Sequence, residues 1–480
     1  MSRRSAPVSR DDLVEVTIDR LAQGGRGVAR HENFVLFVQR GMPGDRVRAR
    51  VTRVKRSFAE ARVEEILERG SESIVPPCTY AGTCGGCAWQ GLDYPAQLRA
   101  KEASVRELLE RVAGLEDPPL HPILGATSTL GYRNKVEYTF CEREDGSVGA
   151  GFHVAGHWDK LVHVDPCLIA DPRGLPAHRV VLDWANRHGV LPYDREFSHG
   201  HLRSLVVRVG HATGEVMVHL VTSLGKIPKL AEVVDDLAAE VPGLVSVMHS
   251  QTDSVAEVAM GDEPPVCLWG RDHYFEELGG NRLAVGALSF MQTNTAMAER
   301  LYELTMEVAQ PRSDDVMYDL YCGLGSIALM FAPHVDNVIG VEVIPEAIED
   351  ANANAERAGI TNAEFQHGNV RPVLKFARGV WPDPTLIVVD PPRSGLVEKV
   401  VRRVCAPRPE RIVYVSCNPS TFAANVPQFA MYGYQPVFIQ PVDQFPHNHH
   451  VELVARFEPI PDWVAPDDLP VDPPVRRNEP

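Results

Sequence analysis

The stretch that most restricts the fold runs from residue 316 to residue 342. Val316-Met-Tyr-Asp-Leu-Tyr321 reads as a strand, Cys322-Gly-Leu-Gly-Ser326 as a glycine turn and Ile327 to Ala332 as the opening of a helix. Asn337-Val-Ile-Gly-Val341 reads as the next strand, ending at Glu342. That order commits this part of the chain to βαβ alternation and a mainly parallel sheet, whose ligands bind outside the carboxyl ends of the strands. Gly323 and Gly325 let the backbone come close to a ligand. A carboxylate about 20 residues on, at the end of the second strand, is placed to accept hydrogen bonds from both ribose hydroxyls. A dinucleotide-binding turn carries a third glycine to hold a pyrophosphate, and this turn has two. A nucleoside cofactor without a phosphate, S-adenosylmethionine, suits it better.

Two later strands end in residues that carry chemistry. Leu386-Ile-Val-Val389 runs into Asp390-Pro-Pro-Arg393, whose prolines hold a loop rigid. Val413-Tyr-Val-Ser-Cys417-Asn-Pro419 puts a thiol where a strand gives way to a helix-like stretch. A cysteine there is expected to shift toward thiolate in the field of the helix N-terminus. The bland alternative is a buried, inert cysteine that closes a strand. Amino-group methyltransferases carry a similar Asp/Asn-Pro-Pro followed by an aromatic residue that stacks the target base. Here Arg393 follows, which favours chemistry at carbon.

A chain of 480 residues exceeds what one core holds and suggests several domains. The formal charge of −16 hides an asymmetry: residues 1–70 carry 15 Lys/Arg against 10 Asp/Glu, and the remainder 33 against 54. A basic N-terminal module on an acidic body fits an approach to nucleic acid. Short alternating strands at 13–18, 34–38, 46–54 and 59–63, broken by glycine turns, read as a small β-barrel. Arg46, Arg48 and Arg50 alternate with Val47, Ala49 and Val51, so one strand face carries cations. That face is either a phosphate track or an ordinary solvated surface.

Cys78, Cys84 and Cys87 fall within ten residues, and Gly85-Gly86 lets the backbone turn two sulfurs toward one centre. Nine cysteines with no secretory signal argue for reduced thiols rather than a disulfide framework. A single Cys-x-x-Cys knuckle favours a [4Fe-4S] cluster over structural zinc. Spacing alone leaves the fourth ligand open between Cys141 and Cys167. Outside the ligand set, Cys141, Cys267, Cys322 and Cys405 are expected in the core. Residues 95–113 are expected to form an amphipathic helix covering a sheet, with the catalytic domain as its candidate partner. Residues 131–288 read as a largely antiparallel α+β region. Gly131-Tyr-Arg-Asn-Lys135 is either a base-stacking, phosphate-holding element or a surface turn.

Leu21-Ala-Gln-Gly-Gly-Arg-Gly-Val-Ala-Arg30, Phe37-Val38 and Gly41-Met-Pro-Gly-Asp-Arg-Val47 closely resemble the TRAM domain, an oligonucleotide-binding-fold module that delivers RNA to modifying enzymes. Together with Phe290-Met-Gln292-Thr-Asn294, Asp319 to Gly325, Gly340-Val-Glu342, Asp390 to Arg393, Ser416 to Pro419 and Phe445-Pro-His-Asn-His-His-Val-Glu452, the chain from 11 to 458 resembles the RNA 5-methyluridine methyltransferases. The resemblance implies a multidomain α/β protein. Residues 1–72 would form an OB-like TRAM barrel, 73–288 a central α+β domain with an iron-sulfur cluster, and 289–458 a Rossmann-like class I methyltransferase domain; outside the resemblance, the Pro- and Asp-rich residues 459–480 are expected to be a disordered tail. The resemblance also implies that Gln292, Tyr321, Ser326, Glu342, Asn369 and Asp390 contact S-adenosylmethionine, that Cys417 is the nucleophile and Glu452 the base, and that Cys167 completes the cluster. Relatives often have Asn where this chain has Ser326.

The residues then have defined tasks. C5 of uracil is a poor nucleophile; attack of a thiolate on C6 makes C5 carbanion-like, and a carboxylate removes the C5 proton after methylation. His447, His449 and His450 are alternatives to Glu452 as base, or shape its loop. The base must leave its stack to be reached, which points to a single-stranded or loop uridine in RNA, ribosomal RNA in preference to transfer RNA. The cluster has no redox task here and is expected to be structural. A monomeric, cytoplasmic enzyme without membrane segments is expected. The rivals are an amino-group methyltransferase using Asp390-Pro-Pro and a non-catalytic RNA-binding iron-sulfur assembly factor.

Overall fold

The computed structural model describes residues 6–194, 196–254 and 260–466. The chain forms two compact units, neither of them contiguous. The first comprises residues up to 105 with 150–168 and 445–450, and the second 106–149, 169–444 and 451 onward.

In the first unit β1 (Leu13–Leu21), β2 (Gly27–His31), β3 (Phe34–Gln39), β4 (Arg46–Val54) and β5 (Phe58–Glu68) close a barrel in the order β1-β2-β3-β5-β4. Period-two alternation fills it. Val14, Val16 and Ile18 from β1 and Val47, Ala49 and Val51 from β4 meet Leu36, Val38, Ala59 and Ala61 in one small core. The barrel also needs a close backbone approach: a Cβ on Gly27 would sit 2.6 Å from the Gly41 carbonyl oxygen. The cationic face of β4 is on the outside and is not an open phosphate track. Arg48 pairs with Glu15 (3.0 Å) and Glu65, Arg50 with Glu64 (2.8 Å), and Arg46 with Glu15 and Glu68. α1 (Tyr94–Arg111) starts in this unit, where Trp89, Leu92 and Ala96 form a second small core with Met42.

β6 (Lys135–Glu142) belongs largely to the second unit, whereas the hairpin of β7 (Val148–His153) and β8 (Leu161–His163) lies mostly in the first. Next come α2 (Leu175–His188), β9 (Leu202–Val209), β10 (Val216–Thr222), α3 (Leu230–Glu240), β11 (Leu244–Gln251) and β12 (Val266–Gly270). β12, β11, β10, β9 and β6 are adjacent in that order, antiparallel except for β10 beside β11. β12 is the edge and leaves Cys267 exposed, so that cysteine is not a core residue; Cys322 and Cys405 are buried and Cys141 is half-buried. Tyr132 is buried and Asn134 is bonded inward to the Gln292 carbonyl (3.0 Å) and to Thr295 (2.7 Å). The 131–135 element is therefore a structural joint, with no exposed ring for a base.

The C-terminal part opens with the hairpin β13 (His273–Leu278) and β14 (Asn281–Gly286), then α4 (Thr295–Ala309), whose N-cap is Asn294. β15 (Val316–Leu320), α5 (Ser326–Phe331), β16 (Asn337–Glu342), α6 (Pro345–Ala358), β17 (Ala363–His367), α7 (Val370–Ala377), β18 (Leu386–Val389), α8 (Glu398–Cys405), β19 (Arg411–Ser416), α9 (Pro419–Met431), β20 (Tyr434–Val442) and β21 (Glu452–Pro459) follow. The sheet order is β17-β16-β15-β18-β19-β21-β20, parallel from β17 to β19 and antiparallel at β21. Strand order reverses between β15 and β18, which is where open α/β sheets bind ligands. β18 and β19 are buried along their whole length, as strands covered on both faces must be. Beyond β21 the chain is pinned by Ile460 N–H to the Gly433 carbonyl (2.8 Å) and by Trp463 against Gly433 and Arg408. The remainder of the expected disordered tail, 467–480, lies outside the described residues. No described helix is long and apolar enough to cross a membrane.

Candidate functional site

The glycine turn after β15 forms as its residues require. Tyr321, Gly323 and Gly325 all have positive φ (69°, 54° and 88°), and α5 begins directly behind Gly325. Glu342, at the end of β16, is buried and accepts from the backbone N–H of Gly323 (3.2 Å), Val343 (2.6 Å) and Ile344 (3.0 Å). These bonds fix its carboxylate against the turn.

The centre of the site is a group of acids. Asp319 is fully buried and accepts from Ala328 N–H (3.0 Å); burial, then Asp390 and Glu342, push its pKa up to about 8. Burial pushes Asp390 up to about 7. Glu452, the first residue of β21, rises to about 8 through burial and Asp390, with Arg393 pulling the other way. The phenol of Tyr302, on α4, lies among these three carboxylates and hydrogen-bonds Gln292. Among the described residues, Asp319 Oδ1 and Glu452 Oε2 are buried without a hydrogen-bond partner.

Cys417 joins this group by register. β19 and β21 pair Ser416 with Leu453, and the next residue on each is Cys417 or Glu452, whose carboxylate acts on the thiol. Asn418 caps α9 by accepting from Ser420 N–H (3.2 Å) and donates to the Arg393 carbonyl (3.0 Å), which ties the thiol's turn to the Asp-Pro-Pro loop. The thiol is half-buried, and its pKa runs opposite to the sequence expectation. Burial, then Glu452 and Asp390, push it up to about 11, and the Arg393 guanidinium offsets part of this. Two acids and desolvation outweigh the helix N-terminus.

Tyr321, Glu342, Asp390, Cys417, Glu452 and, through Tyr302, Gln292 are thus brought together. Ser326 opens α5 directly behind the glycine turn, and the exposed Asn369 follows Gly368, whose N–H donates to the Glu342 carbonyl (2.8 Å); the Asn369 side-chain oxygen caps α7, accepting from Arg371 N–H (3.1 Å). Asp319, Tyr302, Arg393 and Asn418 were not assigned from sequence. A lone carboxylate inside an apolar strand was the available signal for Asp319; Tyr302 gave none, sitting on an ordinary amphipathic helix.

The cysteine lobe is built within the first unit. Residues 83–85 hydrogen-bond the β7–β8 hairpin through Gly85 N–H to the His153 carbonyl (2.9 Å) and Ala155 N–H to the Thr83 carbonyl (2.9 Å), and Tyr80 Oη donates to the Asp165 carbonyl (3.0 Å). Gly86 N–H points at Cys84 Sγ (3.4 Å). Cys167, Cys84 and Cys78 each raise the Cys87 thiol, which burial lifts to about 12, so all four thiols share one neighbourhood. Among the described residues no three His, Cys, Asp or Glu side chains converge as a single ion requires.

Comparison with known proteins places these features in a family. A TRAM domain model matches residues 12–63, and a tRNA (uracil-5-)-methyltransferase model matches 283–370 and 383–456. An uncharacterized RNA methyltransferase of Halalkalibacterium halodurans is 35% identical over 460 residues, covering 95% of this chain and 99% of its own. Another, from Caldanaerobacter subterraneus, is 36% identical over 94% of this chain and 100% of its own. Among solved structures, the tRNA (uracil-54, C5)-methyltransferase of Pyrococcus abyssi in complex with S-adenosyl-L-homocysteine has a TM-score of 0.75 at 28% identity, covering 92% of this chain and 99% of its own.

Proposed function

Since the chain belongs to the TRAM-containing, S-adenosylmethionine-dependent RNA uracil-5-methyltransferases, we propose that it methylates C5 of a uridine in RNA through a covalent bond from Cys417 to C6. The observation that carries this reading is that Cys417 and Glu452 each lie one residue beyond the Ser416–Leu453 pair of β19 and β21, and that the Glu452 carboxylate acts on the Cys417 thiol.

S-adenosylmethionine supplies an electrophilic methyl group on a cationic sulfur. Cys417 loses its thiol proton to solvent, and the thiolate Sγ forms the bond to C6 and leaves C5 nucleophilic; after methylation Glu452 takes the C5 proton, the Sγ–C6 bond breaks and the thiolate is recovered. A positive charge among Asp319, Asp390 and Glu452 favours their ionised forms, which supplies the base in its active state only once the cofactor is in place. Glu342, fixed by three backbone N–H groups, suits the ribose, and Gln292, Tyr321 and Asp390 line the same end of the sheet. Ser326 and Asn369 are proposed at the edge of that site. Ribosomal RNA is proposed as the target, with transfer RNA, named for the matching family model and for the Pyrococcus protein, as the rival. A monomer working in the cytoplasm completes the proposal.

Cys78, Cys84, Cys87 and Cys167 are proposed to hold a [4Fe-4S] cluster. The support is the shared neighbourhood of the four thiols and the single Cys-x-x-Cys knuckle, where structural zinc more often uses two. The cluster would cross-link residues 78–87 to the segment around Cys167 and take no part in methyl transfer.

The test is RNA substituted with 5-fluorouridine, whose C5 fluorine no base can abstract. Protein, S-adenosylmethionine and either a ribosomal or a transfer RNA transcript should give a gel-stable adduct that disappears with Cys417→Ala. An adduct that survives this substitution, or none with a transcript the protein methylates, refutes the mechanism.

A further inference from the structure

Building on Glu452 as the base, we propose that Gln97, Lys101 and Trp89 form a clamp that positions it by holding the loop immediately before it. Residues 445–450, between β20 and β21, cluster with the first unit rather than with the sheet they connect. The residue before them is tied to the second unit, because Gln444 and Asn294 exchange side chain to carbonyl bonds in both directions (3.1 Å each). The six residues then pass into a polar grip.

Gln97 Oε1 accepts from His447 N–H (2.8 Å), and its Nε2 lies 3.1 Å from His447 Nδ1. The same Nε2 bonds the carbonyls of Trp89 (3.1 Å) and Leu92 (2.8 Å), so one amide joins the loop to the turn before α1. Trp89 N–H donates to the His447 carbonyl (3.0 Å), and Lys101 Nζ to the Phe445 carbonyl (3.0 Å). Asn448 reaches the Gly86 carbonyl (3.3 Å), between Cys84 and Cys87. The barrel joins in as well: the Trp89 indole donates to the Gly25 carbonyl (3.0 Å), and a Cβ on Gly25 would meet His449 at 3.0 Å.

Gln97 and Lys101 are fully buried. Burying an amide and an ammonium is costly, and an apolar pair would hold a plain tether more cheaply. What the polar pair adds is register, since each group fixes one backbone position. Val451 alone separates the gripped segment from Glu452, so a displacement of the loop reaches the carboxylate within two residues, a reach of about 7 Å. A misplacement of about 1 Å costs a reacting group roughly a hundredfold. Gln97 and Lys101 are therefore positioning residues for the proton-abstraction step.

The step-specific consequence separates positioning from general support. Full-length Gln97→Leu and Lys101→Met proteins would be compared with the parent on unmodified transcripts of the RNA that the parent methylates, carrying [5-³H]uridine, in single turnover. Lys101→Met keeps the side-chain volume and removes a buried charge, so it tests the clamp even where Gln97→Leu folds poorly. Tritium release should slow ten- to a hundredfold, with methyl transfer into a gel-stable protein–RNA adduct near the parental rate, so that ordinary uridine traps the enzyme. Equal slowing of methyl transfer and release, or parental rates of both in a folded variant, overturns the clamp. Absence of the parent's Cys417-dependent adduct on 5-fluorouridine RNA overturns the reading of Cys417 and Glu452 and the clamp with it. A normal parental adduct with unchanged release in the variants overturns the clamp alone.

Discussion

On the outer face of β4 the charges are exposed and matched: Arg46, Arg48 and Arg50 lie against Glu15, Glu64, Glu65 and Glu68. At the carboxyl ends of β15, β18 and β19 the charges are of one sign, the buried Asp319 and Glu452 and the half-buried Asp390, with the Arg393 guanidinium favouring the ionised Glu452. The first arrangement is the sheet's ordinary way of placing opposite charges across strands, with little energy at stake in water. The second is held away from its own ionised state, which a nearby positive charge would favour. A surface rich in arginine is therefore less informative about function than a few acids with raised pKa values.

The sharpest break in the comparison is Glu452→Gln. The amide keeps the shape and removes both the charge and the base. Turnover should fall by about 10²–10⁴, while a methylated Cys417 adduct accumulates on ordinary RNA, visible as a shifted band that carries label from [methyl-³H]S-adenosylmethionine. A loss of turnover without accumulation would assign proton removal to another group.

The next test uses pH. Asp319, Asp390 and Glu452 have folded pKa values of about 8, 7 and 8, above the ordinary carboxylate range. The folded protein thus holds more protons than the unfolded chain between roughly pH 4 and 8, and the stability of the ligand-free protein falls as pH rises through that window. A cationic cofactor reverses the bias by expelling protons. S-adenosylmethionine affinity should rise from pH 6 to 8.5 by up to about tenfold per unit for each proton released, and more steeply than that of S-adenosylhomocysteine, whose sulfur is neutral. Calorimetry in two buffers of different ionisation enthalpy measures the protons directly, and equal slopes for the two ligands would show that the acids do not sense the sulfonium.

The strand ends were legible from sequence because each is a local event: a strand, a turn and a polar residue within ten positions. Tyr321, Glu342, Asp390 and Cys417 all come from such events. The acids' raised pKa values were not legible, because they arise where β15, β18, β21 and α4 meet, far apart in the chain. The same holds for segments 150–168 and 445–450, which leave their neighbours in sequence to fold with the first unit. Tyr132 looked like a stacking ring because sequence shows its cationic neighbours and not the packing that buries it. Arg48 looked free because its partners are set by register, Glu15 across from it on β1 and Glu65 on β5.

That register gives the smallest test, made on the exposed side of the comparison. If the β4 face contributes to RNA binding, its arginines must first exchange their carboxylates for phosphates, and the glutamates tune the contact down. Glu64→Gln with Glu65→Gln releases Arg50 and one partner of Arg48 without touching the barrel core. Each arginine freed to meet a phosphate should steepen the dependence of log affinity on log salt by about one, with a modest gain in RNA affinity at low salt and an unchanged melting temperature. Filter binding over a salt series reads both quantities. An unchanged slope would place the RNA on another face of the barrel and leave the β4 ladder as plain sheet chemistry, which the exposed and paired state of its charges already describes.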